Sequence, residues 1–232
     1  MNIAFLLYPN VTQLDFAGPA QVLSGLGDAT LHYVSSTMEP IATDCGFAVL
    51  PTATFETLTD ADILCVPGGF GSAAAMEDET LVAWVAKIGA QAQWVTSVCT
   101  GSMILAAAGL LEGYRAGSHW MWRDELALFG AEPVAERVVF DRNRVTGGGV
   151  TAGIDFGLAL SAAIRGEDHA KAVQLALEYD PAPPFDSGSP EKAAPAIVSA
   201  IRERVTSLAP DRRERIRAVA SARGFGVPVH RR

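Results

Sequence analysis

Residues 94–102, which read Trp-Val-Thr-Ser-Val-Cys-Thr-Gly-Ser, constrain the fold of this chain more than any other segment. An apolar, β-branched run ends on Cys99, and a helix of small residues begins directly after it. This pattern is typical of a nucleophile elbow, a sharp strand-to-helix turn from which the reactive side chain stands clear of the sheet. Unpaired N–H groups of the following helical turn favour a thiolate there. We therefore predict that Cys99 is a nucleophile; the alternative is a buried structural cysteine.

Short apolar runs alternate with helical patterns over the first 180 residues or so. The runs predict strands over residues 2–8, 30–35, 62–66, 94–98 and 144–146. The helical patterns lie over residues 19–26, 79–91, 100–111, 121–129, 151–165 and 168–179. Repeated strand–helix order indicates an α/β fold, with a mostly parallel sheet between two layers of helices. Ligands of such sheets bind beyond the carboxyl ends of the strands, so we expect the loops after Tyr8, Val66 and Val98 to form one site.

The last part of the chain differs in composition from the rest. Residues 181–190 are rich in proline and separate a main domain, predicted at 1–188, from a basic helical extension, predicted at 189–232. From Arg202 onward nine arginines accompany three acidic residues, a local charge of +6 in a chain of formal net charge −8. We predict a solvated helical arm that packs on the acidic body or on a partner subunit. An arm that binds nucleic acid is disfavoured because no aromatic residues interleave with the arginines. An apolar stripe at helical spacing runs along this arm at Ile197, Ile201, Val205 and Leu208.

Composition limits the remaining classes of protein. The chain has 232 residues, 49% of them hydrophobic, enough for one substantial core. Residues 103–111 are too short an apolar stretch to span a bilayer and residues 1–8 lack a basic leader, so we expect a cytoplasmic protein with no membrane segment. The three cysteines show no metal-ligand spacing, which predicts reduced thiols and no metal site. Cys65 is expected in the core, and Cys45 in a loop.

A carboxylate follows the first predicted strand, within residues 14–19 (Leu-Asp-Phe-Ala-Gly-Pro). Pro19 is predicted at the first position of the next helix. Asp15 is then either the cap of that helix or an acid that faces Cys99. In the second case a shortage of water raises the pKa of the carboxyl, and carboxyl and thiol titrate as a pair that shares a proton.

Two glycine-rich loops lie at other strand ends. Residues 67–71, Pro-Gly-Gly-Phe-Gly, form either a tight turn or a set of N–H donors for an oxyanion, joined by the amide of Thr100. Residues 146–155 run from a strand into a helix through three glycines. They provide either close helix-to-sheet packing or a wall of the pocket over Cys99.

His119 and Trp120 follow the elbow at a modest distance. A histidine is a common partner for activating a cysteine, which makes His119 a candidate base. The alternative is a structural hydrogen-bonding role. Phe16, Trp120 and Ile154 lie beside the candidate residues in sequence and indicate an apolar lining of the pocket.

Taken together, these segments resemble the ThiJ/PfpI superfamily of cysteine-elbow proteins, which is related to the class I glutamine amidotransferases. Within it they are similar to the isonitrile (isocyanide) hydratases, and the similarity covers most of residues 1–205. Asp15 is the more specific feature, because many members carry Glu near the cysteine. The family pattern often has Thr before His-Trp, where this chain has Gly117 and Ser118. The segments that carry the resemblance are residues 14–19, 97–102, 107–111, 119–120, 146–156 and 177–185.

The resemblance implies a flavodoxin-like body, a homodimer and hydration of an isonitrile to an N-substituted formamide, with no cofactor and no metal. It implies that Cys99 is the nucleophile, that Asp15 is the acid and base, and that Thr100 assists at the elbow. The substrates would be a small isonitrile and water, with no nucleic acid and no membrane as partner. The residues implied to border the substrate are Gly69 and the region of Gly148 and Gly149.

Other functions remain open at this point. A PfpI-like peptidase or a carbonyl-damage hydrolase would pair the thiol with Glu or His, which places His119 in competition with Asp15. A ligand-sensing domain of a transcription regulator would carry two helix-turn-helix units, for which the residues after Pro190 are too few. A redox sensor would exploit ready oxidation of Cys99.

Overall fold

A seven-stranded sheet forms the centre of the computed structural model, which describes residues 1–225. Two arginines of the predicted extension, Arg231 and Arg232, lie outside these residues. Within residues 1–225 the strands are β1 (Asn2–Leu6), β2 (Thr30–Ser35), β3 (Ile41–Ala42), β4 (Ala48–Val49), β5 (Ala53–Thr54), β6 (Ile63–Val66), β7 (Trp94–Val98), β8 (Arg115–Ala116), β9 (Glu132–Pro133), β10 (Val138–Asp141) and β11 (Arg144–Gly147).

The main sheet has the strand order β10-β11-β7-β6-β1-β2-β5. Its neighbours are parallel, apart from the antiparallel pair β10 and β11. Strand β7 lies between β6 and β11, with Thr96 opposite Cys65 and Ser97 opposite Thr146. The carboxyl ends of β1, β6, β7 and β11 therefore meet at one edge of the sheet, as the sequence predicted.

Helices connect and cover these strands. Those that the structure describes are α1 (Gln13–Leu23), α2 (Ser72–Glu77), α3 (Glu79–Gln91), α4 (Gly101–Ala107), α5 (Ala152–Arg165), α6 (Glu167–Ala176), α7 (Pro195–Leu208) and α8 (Arg212–Ala222), with 3-10 helices at Ser24–Leu26 and Arg123–Phe129.

The helices form two layers, one on each side of the sheet. Helices α1, α5 and α6 pack together, and α2, α3 and α4 pack together. All residues of β6 and most of β1 are buried, which explains their continuous apolar sequences. The predicted three-layer, flavodoxin-like α/β fold with a mostly parallel sheet is confirmed. Among residues 1–225, no helix is both long and apolar enough to cross a membrane.

Two predicted helices differ from the structure. Helix α1 begins at Gln13, so Asp15 lies in its first turn and Pro19 lies in its interior. Pro19 provides no N–H for the carbonyl of Asp15, a loss that this partly buried helix accommodates because packing against α5 stabilises it. Residues 121–129 were predicted as an α-helix, but Arg123–Phe129 adopts a 3-10 helix that ends at Gly130 with φ of 75°.

The two C-terminal helices differ in how they meet the body. Helix α8 packs against α2 and the 3-10 helix Arg123–Phe129, and it buries Ile216, Val219 and Ala220. Helix α7 buries none of its residues, and its predicted apolar stripe leaves Ile197, Ile201 and Leu208 exposed. The expectation that the arm packs on the body therefore holds for α8. The division into domains at residue 188 remains a prediction.

Gly153 allows α5 to approach both α1 and the sheet. A Cβ atom at this position would lie 2.8 Å from Cδ of Pro19 and 3.2 Å from Cγ2 of Val98. Both neighbours are buried, and the proline ring is rigid. Close packing is thus the structural role of Gly153.

We expect Gly153→Ala to lower the free energy of unfolding by about 1–3 kcal/mol, because α1 must shift to admit the methyl group. The higher helix propensity of alanine offsets part of this loss. Urea denaturation measures the effect, with Gly188→Ala as the control, since a Cβ at Gly188 meets nothing within 4 Å. Equal stability of Gly153→Ala and the wild type would contradict the packing argument.

Candidate active site

Cys99 lies in a strained turn between β7 and α4. Its φ of 56° falls in the left-handed region, which is costly for a side chain with a Cβ atom. Its amide donates to Gly147 O at 3.1 Å, and its carbonyl accepts hydrogen bonds from Ser102 Oγ at 3.1 Å and Ser118 Oγ at 3.0 Å. These bonds hold the turn. Ser118, where the family pattern often has Thr in this turn, therefore supports the elbow.

Gly101 is required directly after the elbow. A Cβ atom there would lie 1.9 Å from the carbonyl oxygen of Val66, the last residue of β6. Only glycine lets the first turn of α4 approach the neighbouring strand this closely. The predicted nucleophile elbow is present in the structure.

Asp15 is almost fully buried, with 1% of its surface exposed. Its Oδ2 accepts a hydrogen bond from the N–H of Gly68 at 2.8 Å. Its Oδ1 has no hydrogen-bond partner among the described residues. The alternative that Asp15 caps its helix is wrong, because the cap residue is Thr12 and the carboxylate bonds instead to a loop 53 positions away. The carboxyl therefore has one fixed oxygen and one free oxygen.

Asp15 and Cys99 are close enough for each to change the pKa of the other. Burial raises the pKa of Asp15 from 3.8 to about 7; the Gly68 bond opposes this rise, and the charge of Asp44 adds to it. Burial and the charge of Asp15 raise the pKa of Cys99 above its usual range, although the Thr100 amide and the Arg212 charge act in the opposite direction. The start of α4 was expected to favour a thiolate, but burial and the charge of Asp15 outweigh it. Above about pH 7 the two groups therefore hold one proton between them, because the carboxyl ionises before the thiol does.

Thr100 links the elbow to the glycine loop. Its Oγ1 accepts a hydrogen bond from the N–H of Gly69 at 3.1 Å and lies 3.0 Å from Oγ of Ser72. Its amide and its hydroxyl both face the sulfur of Cys99 and lower the pKa of that thiol. The prediction that the N–H of Gly69 donates to an oxyanion is wrong, because that N–H is hydrogen-bonded to Thr100 Oγ1. The amide of Thr100 is the predicted donor that does face Cys99.

A pocket of about 190 Å³ opens over Cys99. Its apolar walls come from Phe70, Trp122, Val150 and Val205. Its polar lining comes from Thr12, Asp44, Gly69, Thr100, His119 and Arg212, and Thr12 Oγ1 donates to Asp44 Oδ2 at 2.5 Å. The thiol is thus buried, with 6% of Cys99 exposed, but it lines an open cavity.

His119 lines this pocket, as the sequence predicted for a residue near the elbow. Burial, with a smaller contribution from the charge of Arg212, lowers its pKa to about 4, so the imidazole is neutral at neutral pH. Trp120 instead packs beside His119 and beneath the guanidinium of Arg202, whose Cζ lies 4.7 Å from the centre of the indole. Trp122, which the sequence did not single out, supplies the aromatic wall of the pocket.

The loop before α5 reaches the pocket through Val150 rather than through its glycines. Gly148 donates its N–H to Arg137 O at 2.9 Å, and a Cβ at Gly149 would meet nothing within 4 Å. Ile154 packs its Cγ1 against Gly18 of α1. Substrate contacts by Gly148, Gly149 and Ile154 remain predictions.

Arg212 is another residue of the site that the sequence did not predict. It comes from the start of α8, and only 4% of its surface is exposed. Its guanidinium stacks over Trp122 at 4.9 Å and donates to Gly69 O and Ser72 Oγ. The tail was predicted to be solvated, and this is wrong for Arg212.

The other two cysteines take no part in this pocket. Cys65 is buried in β6, and burial raises the pKa of its thiol to about 12; Cys45 is exposed beside Asp44. Both placements agree with the sequence, and the three cysteines are free thiols. Among residues 1–225, no group of three or more His, Cys, Asp or Glu side chains is arranged to hold a metal ion.

The sheet order, the cysteine elbow and the buried carboxyl beside it define a class of protein. Residues 1–163 match the model of the DJ-1/PfpI family, and the chain belongs to that family. The resemblance read from the sequence is confirmed.

Individual relatives cover more of the chain. An isonitrile hydratase of Pseudomonas putida is 51% identical over 204 residues, which are 88% of this chain and 90% of that protein. A solved THiJ/PfpI family protein from Pseudomonas syringae is 45% identical with a TM-score of 0.87, over 97% of this chain and 90% of the other. The HTH-type transcriptional regulator CdhR of Pseudomonas aeruginosa is 31% identical over 182 residues, which are 75% of this chain and 53% of the regulator.

Because the pKa of Asp15 is raised, the folded chain binds this proton more tightly than the unfolded chain does. The contribution of this carboxyl to the free energy of unfolding therefore falls as the pH rises from about 4 to about 7. We expect Asp15→Asn to be as stable as the wild type near pH 4 and more stable by about 2–4 kcal/mol at pH 8. Denaturation at several pH values measures the gap, with the exposed residue Asp168 changed to Asn as the control. A gap that stays constant with pH would count against the buried, protonated carboxyl.

Proposed function

We propose that this protein hydrates isonitriles to N-substituted formamides through a covalent intermediate on Cys99. The relative from Pseudomonas putida named isonitrile hydratase supports this proposal, since it matches the chain over most of both lengths. The observation that carries the mechanism is the free Oδ1 of Asp15, a buried carboxyl oxygen without a partner beside the thiol. A carboxyl placed there can exchange its proton with the thiol and pass it to a molecule that Cys99 attacks.

The reaction begins from the form of the pair in which the sulfur is an anion and Asp15 is the acid. This form is reached when the thiol proton moves to the carboxyl, and the Thr100 donors and the Arg212 charge favour it. The sulfur attacks the terminal carbon of the isonitrile while Asp15 gives its proton to the same carbon. New carbon–sulfur and carbon–hydrogen bonds yield a thioimidate, S–CH=N–R, and a carboxylate.

Water completes the cycle. The oxygen of the water bonds to the thioimidate carbon while the Asp15 carboxylate takes one proton from that water. Asp15 then passes this proton to the nitrogen of the adduct. The carbon–sulfur bond of the tetrahedral adduct then breaks with its electron pair on sulfur. The hydroxyl proton of the adduct returns to the pair of Cys99 and Asp15, and the formamide R–NH–CHO leaves. Each turnover consumes one isonitrile and one water.

The pocket suits an apolar substituent on the isonitrile. The side chains of Phe70, Trp122, Val150 and Val205 surround about 190 Å³ above the sulfur. A cyclic or short aliphatic group gains contact with these walls, and the isonitrile carbon then points toward Cys99. The homodimer implied by the sequence resemblance and the cytoplasmic location expected from composition are likewise proposals.

We expect the purified protein to convert cyclohexyl isocyanide to its formamide. Cys99→Ala should abolish turnover, and Asp15→Asn should lower kcat/KM by about 10²–10⁴-fold, because the acid and base of both steps is lost. Chromatography of the formamide measures the rates, and Cys45→Ser controls for removal of a thiol. The proposal fails if Cys99→Ala keeps the wild-type rate. A variant His119→Ala that loses activity while Asp15→Asn keeps it would favour a cysteine–histidine hydrolase.

The covalent step has its own test. Rapid acid quenching of the wild type with excess cyclohexyl isocyanide should give protein whose mass exceeds that of the free chain by the mass of one isonitrile. Peptide mapping should place the addition on Cys99, and Cys99→Ser should not carry it. If the protein turns over isonitrile to formamide but carries no adduct at any quench time, water attacks the substrate directly.

A further inference from the structure

The C-terminal helix α8 brings a buried positive charge into the pocket. Arg212 lies 113 positions after Cys99, yet its guanidinium reaches the pocket that Cys99 lines. Other contacts of α8 hold it there. Arg215 forms a bidentate ion pair with Glu77, and Ile216 is buried against the body. The guanidinium is therefore fixed before any substrate enters.

Arg212 is bonded to the glycine loop and to α2 rather than to a carboxylate. Its Nη2 lies 3.2 Å from Gly69 O and also donates to Ser72 Oγ. Ser72 is fully buried, and its Oγ lies 3.0 Å from Thr100 Oγ1. A continuous line of hydrogen bonds thus runs from α8 to the residue next to Cys99.

The chemistry of these groups fixes the direction of the line. A guanidinium can only donate, so Ser72 Oγ accepts from Arg212 and directs its own hydrogen to Thr100 Oγ1. Thr100 Oγ1 also accepts from the N–H of Gly69. Its own hydrogen is then left for another acceptor. Two acceptors lie within reach of it: Gly69 O, 3.4 Å away, and the sulfur of Cys99, where a hydrogen bond from the hydroxyl lowers the pKa of the thiol.

We propose that Arg212 is a positioning residue of the catalytic site, which acts through Ser72 to turn the Thr100 hydroxyl toward the sulfur of Cys99 and so stabilises the sulfur anion. The role deepens the proposed function and assigns the C-terminal helix to the active site. Its test measures the reactivity of the thiol itself, so it can fail without the proposed function failing.

The charged and titratable groups around the sulfur also affect the pKa of the thiol that this test measures. Tyr8 in the loop after β1, Asp15 in α1 and Arg212 in α8 act on Cys99 electrostatically. Asp44 and His119 line the same pocket from two loops. Arg212 is the positive member of this set at neutral pH, because the imidazole of His119 is neutral there.

The rate of alkylation of Cys99 by iodoacetamide, followed against pH by mass spectrometry, reports the pKa of the thiol. The background is Cys45→Ser, which removes the exposed thiol. We expect Arg212→Met and Ser72→Ala each to raise the apparent pKa by about one unit and to slow alkylation near neutral pH about tenfold. Arg212→Lys, which keeps the charge and can donate to Ser72, should recover part of the rate.

Arg215→Gln is the matched control, because it weakens the docking of α8 at Glu77 without removing a member of the line. It should shift the pH profile less than Arg212→Met does, because Ile216 still packs α8 against the body. The proposal is overturned if Ser72→Ala keeps the wild-type profile, since Arg212 would then act through its charge alone. It is also overturned if Arg215→Gln shifts the profile as far as Arg212→Met does. Should Arg212→Met not fold, Ser72→Ala and Arg212→Lys still decide the question.

Discussion

One proton shared between a buried thiol and a buried carboxyl is the interaction on which this site depends. Neither Cys99 nor Asp15 is solvated well enough to carry a charge easily, and each charge raises the cost of the other. Above about pH 7 the carboxyl ionises while the thiol stays protonated, so the pair then carries one proton and one negative charge. Which atom holds the charge is decided by neighbouring donors. The Gly68 N–H favours a carboxylate, and the Thr100 amide and hydroxyl favour a sulfur anion.

The fold brings the pair together by placing strained or crowded backbone at the ends of neighbouring strands. Cys99 adopts a left-handed φ at the end of β7, and Gly101 allows α4 to begin against β6. On the other side, Gly68 lies between Thr100 and Asp15; a Cβ atom there would be 2.5 Å from Thr100 N and 2.9 Å from Asp15 Oδ2. Glycine at position 68 thus leaves room for both Thr100 and the carboxyl of Asp15 beside the loop after β6. A larger residue at Gly68 would push them apart.

The sequence predicted the parts of this site that local patterns encode. The elbow, the order of strands and helices, and the convergence of loops at one edge of the sheet follow from segments of about ten residues. Asp15 had two interpretations, because both a cap and an acid follow a strand; the partner that separates them, Gly68, is 53 positions away. Arg212 and Trp122 enter the pocket through the docking of α8 and a 3-10 helix, which no local pattern describes. The ionisation of Cys99 was mispredicted because a helix terminus is visible in sequence, whereas burial is not.

The charges of the pocket also limit which reactions suit it. Cys99 and Asp15 together carry one negative charge, and the buried guanidinium of Arg212 balances it from the far side of Thr100. An isonitrile, water and a formamide are all uncharged, so the proposed cycle moves protons within the pair without changing the net charge of a poorly solvated cavity. A reaction that released a carboxylate here would add a second negative charge beside Asp15 and Asp44, at the cost that burial imposes on any unpaired ion. This arrangement of charges therefore favours the hydration of a neutral substrate over a reaction that releases an anion.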